Sequence, residues 1–479
     1  GYNHWATAGF FGRLNYNYKE KYLLEVNGRY DGTSRFMKDQ RWNFFPSFSL
    51  GWNVARENFW KPLESVVNQF KLRGSWGELG NQNTSNLYPF YEILPVKSNS
   101  GNWLVNGGKT NTADIPSLVS TLLTWERVRS FNVGFDFGAF SNRLTGSFDY
   151  FVRKTVDMVG PAPQLPLVLG IAPAIVNNAD MKSYGFEIEL SWRDRIGEVD
   201  YGVKFNLADA QQKVVKYPNT TNAFSDWYAG KMSGEIWGYT SLGIAKTDEE
   251  MKEHLASLPN GGQNQLGNKW GAGDIMYADI NGDGKVDGGK GTLADPGDQR
   301  IIGNSTPRYN FGLVLDASYK GFDVSIFFQG VGKRDYAPIV GTNGAVFWGA
   351  VNNIWQSMAM EEHFDYFRPE GHPMGANLNG YYPRPDFTSN KNHQVQTRYL
   401  QDASYIRLKN LQIGYTLPKQ WINKLHINRC RVYVSGDNLW TGTSLASMFD
   451  PETLAAGDWG SGKTYPLSKV ISFGLNVNF

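Results

Sequence analysis

Apolar and polar residues alternate with a period of two along most of this chain. The pattern is clear in residues 469–479, whose apolar positions are Ile471, Phe473, Leu475, Val477 and Phe479. A strand of roughly 9 to 11 residues with one apolar and one polar face has the length and polarity needed to cross a bilayer at a tilt. The segment therefore predicts a membrane-spanning strand if the same pattern recurs elsewhere.

The alternation does recur, in segments 10–18, 22–30, 131–137, 184–192, 309–315 and 322–328. The outer faces of soluble sandwiches are equally polar, so alternation alone does not separate the two classes. Counting segments of this kind gives about fourteen strands, separated alternately by very short turns and by stretches of about 20 to 70 residues. Short turns on one side and long loops on the other are typical of outer-membrane barrels.

The connections between strands fall into these two classes. Tight turns are predicted at Lys19-Glu20, Ser141-Asn142, Gly197-Glu198 and Lys320-Gly321. Long irregular stretches are predicted near 80–123, 159–181, 218–234, 246–307, 336–403 and 441–468. A short helix is predicted over 247–255, where Thr247 precedes an acidic first turn.

Composition agrees with a membrane barrel and excludes several other classes. Aromatic residues make up 15% of the chain, as expected where aromatic girdles lie at both membrane interfaces. The net charge of +2 gives no reason to expect nucleic acid, and the single Cys430 has no partner for an internal disulfide. No apolar run is long enough for a membrane helix, and the first residues lack the pattern of a signal peptide, which indicates an internal start. The predicted fold is an all-β, transmembrane antiparallel β-barrel.

Short motifs in a fixed order resemble the SusC-type (SusC/RagA-like) TonB-dependent outer-membrane transporters of Gram-negative bacteria, and the resemblance covers nearly the whole chain. The motifs lie at 12–16, 22–24, 29–36, 45–52, 71–77 with 80–81, 123–126, 149–155, 404–410 and 435–440. Each is short, but their ordered succession is specific.

The resemblance implies a barrel of about 22 strands whose amino-terminal part supplies a plug domain and the TonB-contacting segment. Residues 1–479 then correspond to the carboxy-terminal part of the barrel, with the plug absent from this chain. An open sheet of about fourteen strands leaves unpaired edges in lipid, which costs several kcal/mol per unpaired backbone group. We therefore expect the chain to be a fragment or one piece of a larger assembly.

The family's activity implies uptake of oligomeric nutrients across the outer membrane, with a glycan as the first expectation and a peptide as the second. The implied partners are a SusD-like surface lipoprotein that covers the barrel as a lid, TonB acting through the amino-terminal part, and outer-membrane lipid. A dimer of barrel–lid pairs is a further assembly that the resemblance allows. The alternative is a secreted or surface all-β binding protein with a structural calcium loop.

One segment has the spacing of a calcium-binding loop. Its oxygen-bearing side chains and the expected backbone carbonyl donor match positions 1, 3, 5, 7 and 9 of an EF-hand loop, and these residues are Asp279, Asn281, Asp283, Lys285 and Asp287. A glycine stands at position 6, as the sharp turn requires. The sequence therefore predicts a structural calcium ion that stiffens a long outer loop.

The end of this loop departs from the EF-hand pattern. Position 12 is Lys290, where a bidentate carboxylate is required. Related transporters carry a carboxylate a few residues further on, so the resemblance implies Asp298 as the last ligand, with Asp295 as its rival. The other interpretation is an ion-free turn rich in Asp, Asn and Gly.

Other chemical motifs are weak. Residues 457–464 satisfy the P-loop pattern, but a P-loop must lead into a helix whose N-terminus binds the phosphate. Here Pro466 follows almost directly and no helix is predicted, so nucleotide binding is not expected. The six histidines are scattered, and Glu187 and Glu189 lie on one strand face, where solvated charges are common. We therefore expect no enzyme activity.

The long loops contain aromatic residues that have the flat apolar rings needed to stack on a sugar or contact a peptide. They are Trp227, Tyr228, Trp237, Trp348, Trp355, Tyr381 and Tyr382. For any one of them, packing within the loops or at the membrane interface is the favoured interpretation. The sequence therefore identifies no substrate-binding residues.

Overall fold

Strands dominate the computed structural model of this chain, which describes residues 4–84, 87–116, 118–160, 168, 170–171, 174–338, 346–349, 360–386, 391–422, 426–454 and 465–479. In chain order the strands are β1 (Thr7–Tyr18), β2 (Tyr22–Thr33), β3 (Trp42–Asn53), β4 (Val67–Asn81), β5 (Val96–Lys97), β6 (Leu104–Val105), β7 (Gly108–Lys109), β8 (Thr112–Ala113), β9 (Glu126–Ala139), β10 (Leu144–Gly160), β11 (Val176–Ile196), β12 (Val199–Lys216), β13 (Glu235–Gly238), β14 (Ser241–Ile244), β15 (Ile275–Tyr277), β16 (Arg300–Asn304), β17 (Arg308–Tyr319), β18 (Phe322–Lys333), β19 (Asp335–Tyr336), β20 (Gln401–Asp402), β21 (Tyr405–Thr416), β22 (Arg429–Thr443) and β23 (Val470–Asn478).

Helices are short and few in the described residues. The α-helices are α1 (Asp248–Ala256) and α2 (Lys419–Ile422), and 3-10 turns lie at Lys38–Gln40, Val54–Arg56, Asn58–Leu63 and Glu361–Phe364. The helix predicted over 247–255 is confirmed: Thr247 is its N-cap and accepts a hydrogen bond from the Glu250 amide at 3.1 Å. Within the described ranges, no helix combines the length and apolar character needed to span a membrane.

The long strands form one thirteen-stranded sheet in the order β1-β2-β3-β4-β9-β10-β11-β12-β17-β18-β21-β22-β23. The described residues thus hold one strand fewer in this sheet than the alternation predicted. The chain divides into two compact units, unit 1 (Gly1–Ile188, Ala210–Thr221 and Asp226–Met232) and unit 2 (Glu189–Asp209, Asn222–Ser225 and Ser233–Phe479).

Two of the tight turns have the backbone that a right-handed strand twist requires. Lys19 and Glu20 have φ values of 53° and 55°, and Lys320 and Gly321 have 48° and 91°. Positive φ at both central residues is the type I′ hairpin geometry, so these predicted turns are confirmed. The long stretch predicted near 159–181 is shorter than expected, because β10 continues to Gly160 and β11 already begins at Val176.

The register of unit 1 aligns apolar residues with one another across the strands. One row runs Leu14, Val26, Phe48, Trp76, Phe131 and Val152. The row one residue away is almost entirely polar and runs Asn15, Glu25, Ser49, Ser75, Asn132 and Phe151. Because side chains alternate between faces, these two rows give the sheet one apolar and one polar face.

The apolar face carries aromatic residues at both ends of β1, β2 and β3. At one end Tyr30 and Trp42 stack with ring centroids 5.1 Å apart, and at the other Tyr18 and Tyr22 stack at 6.4 Å. Phe10, which stacks on Trp42, lies eight residues before Tyr18 on β1, a rise of about 26 Å at about 3.3 Å per residue. At the strand tilt of about 35–45° in membrane barrels, this rise spans about 19–22 Å along the membrane normal, slightly less than their apolar band of about 25 Å.

Unit 1 has a small core at the end of the sheet where the long connections leave it. Phe36, Phe45, Leu123 and Trp125 are buried together. The Trp125 indole donates to the Arg41 carbonyl at 3.0 Å, which fixes the chain just before β9.

Unit 2 has a larger core built from three segments predicted as separate long loops, 246–307, 336–403 and 441–468. Buried side chains from the first include Ile275, Tyr277 and Val286, from the second Trp348, Phe367, Tyr382 and Tyr399, and from the third Leu445, Phe449 and Leu454. We call this set the loop core. The long connections of unit 2 therefore pack into a common hydrophobic cluster.

A buried ion network lies beside the loop core. The carboxylate of Asp274, fully buried, accepts from the Lys391 ammonium at 2.8 Å, from the Arg384 guanidinium at 2.8 Å and from the Asn392 amide at 3.0 Å. Lys391, which is 1% exposed, also donates to the Lys269 carbonyl at 2.9 Å. Each charge is paired, so the network joins segments 117 residues apart without leaving an isolated buried ion.

Replacing Asp274 with Ala is expected to destabilise the loops of unit 2 by about 3–5 kcal/mol, because the Lys391 ammonium then stays buried without its carboxylate. The control is Glu198→Ala, whose pair with Lys320 is more than half exposed and is screened by solvent, so that little effect is expected. Hydrogen–deuterium exchange around each site measures both effects. Equal changes at the two sites would show that burial of the network has no energetic consequence.

Candidate functional site

The candidate calcium loop folds around its own backbone. The Asp279 carboxylate accepts from the amides of Gly282 at 2.6 Å and Gly284 at 2.8 Å. Asn281 and Asp283 each accept from the amide two residues further on, at 2.9 and 3.2 Å. Gly282 and Gly284 have φ values of 75° and 80°, which favour glycine. The first half of the loop is therefore held by turns that side-chain oxygens close.

Asp298 joins the two halves of the loop. Its side chain is fully buried, and its two oxygens accept from the Ile280 amide at 2.7 Å and the Asp287 amide at 2.7 Å. Burial raises the pKa of Asp298 above the usual value of an aspartate. Of the two candidates for the last ligand, Asp298 is thus the one that the structure brings to the predicted residues. The backbone carbonyl of Asp295 accepts instead from Lys290 and Thr292.

Lys285 has a side-chain role that the sequence did not indicate. Its ammonium contacts the Asp287 carboxylate and lies 3.8 Å from Asp283. The hydrogen bond from Lys285 lowers the pKa of Asp287. The ammonium thus neutralises two of the carboxylates predicted to bind calcium.

The donor set of the loop is chemically suited to a hard cation, since it consists of carboxylate and amide oxygens. Among the described residues, however, no group of three or more His, Cys, Asp or Glu side chains is arranged to hold a metal ion. A cation on Asp283 and Asp287 would have to displace the Lys285 ammonium. Calcium binding therefore stays a prediction.

The loop is attached firmly to unit 2. Val286, between the Lys285 and Asp287 side chains, is fully buried in the loop core, and its amide donates to the Gly262 carbonyl at 2.8 Å. The Asn260 amide donates to the Gly284 carbonyl at 2.9 Å. A change in the acidic loop would therefore be transmitted to the packing of the long connections.

Most of the candidate stacking aromatics have other contacts. Trp348 is fully buried and Tyr382 is 1% exposed, both within the loop core, so packing is confirmed for these two. Tyr381 packs against the same cluster, Tyr228 is buried, and Trp237 stacks on Phe224 with centroids 4.7 Å apart. Trp227 is 39% exposed. Trp355 and the P-loop-like segment 457–464 lie outside the described residues.

Unit 2 contains an ion network on β21 that the sequence did not indicate. Arg407, 4% exposed, donates to Asp450 at 2.7 Å and to Glu452 at 2.7 Å, and Lys409 donates to Glu452 at 2.6 Å. These contacts fix residues 450–452, in the last predicted long loop, to β21. The available signal was the spacing of Arg407 and Lys409, which are two residues apart and would share one face of a strand.

Comparison with known proteins identifies the family of this chain. The family model described as TonB dependent receptor-like, beta-barrel matches residues 3–439. The chain belongs to this family. The resemblance to TonB-dependent transporters predicted from the motifs is therefore confirmed at the level of the family.

Individual relatives of this TonB-dependent receptor family support the assignment. TonB-dependent receptor P3 of Formosa agariphila is 30% identical over a match that covers 100% of this chain and 46% of the relative. TonB-dependent receptor SusC of Bacteroides thetaiotaomicron is 24% identical over 99% of this chain and 44% of the relative. The chain spans about half the length of these curated relatives.

The solved structure of the RagAB peptide transporter matches the fold of this TonB-dependent receptor barrel chain. The TM-score is 0.75 at 23% sequence identity, and the match covers 99% of this chain and 48% of that chain. At this identity the similarity establishes the fold alone.

Proposed function

We propose that this chain is the carboxy-terminal, membrane-spanning part of a TonB-dependent transporter in the outer membrane of a Gram-negative bacterium. The observation that carries the proposal is the pair of rows on β1 to β4, β9 and β10, apolar on one face and polar on the other. The aromatic bands at about the spacing of a bilayer's apolar layer add to it. Membership of the TonB-dependent receptor family supports the same conclusion.

The apolar face argues against the alternative of a secreted or surface binding protein. Phe48 is 45% exposed, Trp76 is 36% exposed and Phe131 is 46% exposed, and the register places them side by side on β3, β4 and β9. Water-soluble domains rarely expose a contiguous apolar surface of this kind, whereas lipid requires one. The exposure is therefore explained by contact with the hydrocarbon core of a membrane.

The proposed activity is TonB-driven uptake of an oligomeric nutrient, either a glycan or a peptide. The proposed partners are a SusD-like surface lipoprotein, which would contact the long connections, and TonB, which would act through a part of the transporter outside this chain. Two relatives support this assignment, one named SusC and one named TonB-dependent receptor P3. A lid of this kind would close on the long connections that the loop core packs together.

Inactivation of the gene that encodes this protein and inactivation of TonB are each expected to abolish growth on the oligomeric nutrient that the transporter takes up. Extraction of the intact protein in detergent is expected to retain a lipoprotein, which mass spectrometry identifies. The monomeric form of the nutrient is the control, since small molecules cross by other pores. Growth that depends on the protein but not on TonB would contradict the proposal, as would a protein extracted without detergent.

We also propose that calcium binds the loop 279–287 with Asp298 and displaces the Lys285 ammonium. The ion would supply no chemistry and would stiffen the loop. Asp279, Asn281, Asp283 and Asp287 would provide oxygen ligands, together with the Lys285 carbonyl that the EF-hand spacing requires. Support comes from the oxygen donor set and from the hydrogen bonds that already shape the loop around it.

The calcium proposal predicts different effects on stability for substitutions of Asp298 and Asp283. Asp298→Asn should destabilise the loop by about 1–3 kcal/mol with or without calcium, because backbone amides lose an acceptor oxygen. Asp283→Asn should remove only the stabilisation that calcium adds, since an Asn oxygen still accepts from the Lys285 amide. Thermal unfolding in calcium and in chelator measures both, with Asp295→Asn as the control. A wild-type protein equally stable in calcium and chelator would exclude the ion.

A further inference from the structure

A cavity of about 320 Å³ lies in unit 1, where β10 ends, β11 begins and β12 ends. Its lining combines Met158, Val159 and Gly160 of β10, Ala179, Asp180 and Met181 of β11, Val214 and Lys216 of β12, and Tyr217 and Trp227 of the following connection. The volume is at the lower end of the range of about 300–1,000 Å³ for ligand pockets. It therefore suits one side chain of a ligand and not a whole oligomer.

The walls of this pocket are mostly apolar. Val214 is 2% exposed and Ala179 is 6% exposed, whereas Trp227 is 39% exposed and has an accessible ring. Gly160 keeps the pocket open, because a Cβ there would stand 3.2 Å from the Ala179 Cβ and still closer to the Asn178 side-chain oxygen. Methionine side chains such as Met181 adapt to ligands of different shape.

Two opposite charges line the same pocket. Asp180 accepts a hydrogen bond from the Asp157 amide at 3.0 Å, and in the described part of the chain it has no cationic partner. Lys216 is exposed and likewise forms no ion pair with a described carboxylate. A short peptide with free ends carries an ammonium and a carboxylate, which complement these two groups. A neutral glycan carries neither charge.

We propose that this pocket is a cargo subsite that binds an apolar side chain of a short, free-ended peptide. The proposal rests on the proposed transport function and specifies its cargo. Of a sugar's many hydroxyl groups, only those that reach Asp180 or Lys216 would find a hydrogen-bond partner, and those that face Met181 and Val214 would be buried without one, which is unfavourable. An apolar side chain gains from the same burial, and Trp227 extends the apolar surface beside it. Asp180 and Lys216 attract the peptide termini.

The test uses the intact protein purified from its own membrane and isothermal titration calorimetry. The probes are a glycine pentapeptide with a central leucine, its serine-centred counterpart, the leucine peptide with both ends blocked, and maltohexaose. The leucine-centred peptide is expected to bind roughly tenfold or more tightly than the serine-centred peptide, because its apolar side chain leaves water on binding. Blocking both ends of the leucine-centred peptide is expected to weaken its binding, because Asp180 and Lys216 then no longer attract charged termini.

Met181→Asp should reduce the preference for leucine over serine to less than about threefold, since it places a charge in the apolar pocket. Val215→Asp is the matched control, because Val215 is 49% exposed on the same strand as Val214 and does not line the pocket. This control should keep the wild-type preference. The preference of the wild-type protein is itself a test that does not depend on whether a variant folds.

Equal affinity for the two peptides, no peptide binding, or tighter binding of maltohexaose would each overturn the subsite. Loss of the leucine preference in both variants would overturn it as well. The transport proposal has separate readouts, which are TonB dependence and the co-purifying lipoprotein. A transporter that binds only glycans would therefore refute the peptide subsite and leave the transport function standing.

Discussion

The structure depends on the pairing register of its long strands. A strand presents successive side chains to opposite faces, so one register aligns Leu14, Val26 and Phe48 on one side and their polar neighbours on the other. A shift of one residue would move the whole apolar row to the polar face. The tight turns at Lys19-Glu20 and Lys320-Gly321 fix this register locally, since only three residues separate the paired Tyr18 and Tyr22 and only two separate the paired Tyr319 and Phe322.

The long connections follow a different rule. A segment of tens of residues outside the main sheet must bury apolar side chains elsewhere to offset the entropy of ordering the chain. In unit 2 three such segments bury their apolar side chains against one another, since Tyr277, Trp348 and Phe449 belong to one cluster. The buried pair of Asp274 and Lys391 joins two of these segments. The candidate calcium loop belongs to the same cluster through Val286, so a conformational change in this loop would affect the packing of the loop core.

The regular features were predictable because they are local. Alternation gave the strands, turn residues gave the hairpins, and Thr247 before an acidic turn gave α1. The contacts of the loops were not predictable, because Asp274 and Lys391 are 117 residues apart and no periodicity relates them. For the same reason Trp348 and Tyr382 were candidates for substrate stacking, although they are core residues. Asp298 was expected as a ligand from the resemblance, but its bonds to the loop backbone required coordinates.

The central claim is that one face of this sheet meets lipid and the other does not. Spin labels at positions 14, 15, 16 and 17 of β1, placed in a protein whose Cys430 is replaced by Ser and reconstituted in a bilayer, test it directly. Collision with oxygen, which concentrates in lipid, should be high at Leu14 and Tyr16 and low at Asn15 and Asn17. Equal oxygen collision at all four positions, or equal access of a water-soluble nickel chelate to Leu14 and Asn15, would contradict the claim.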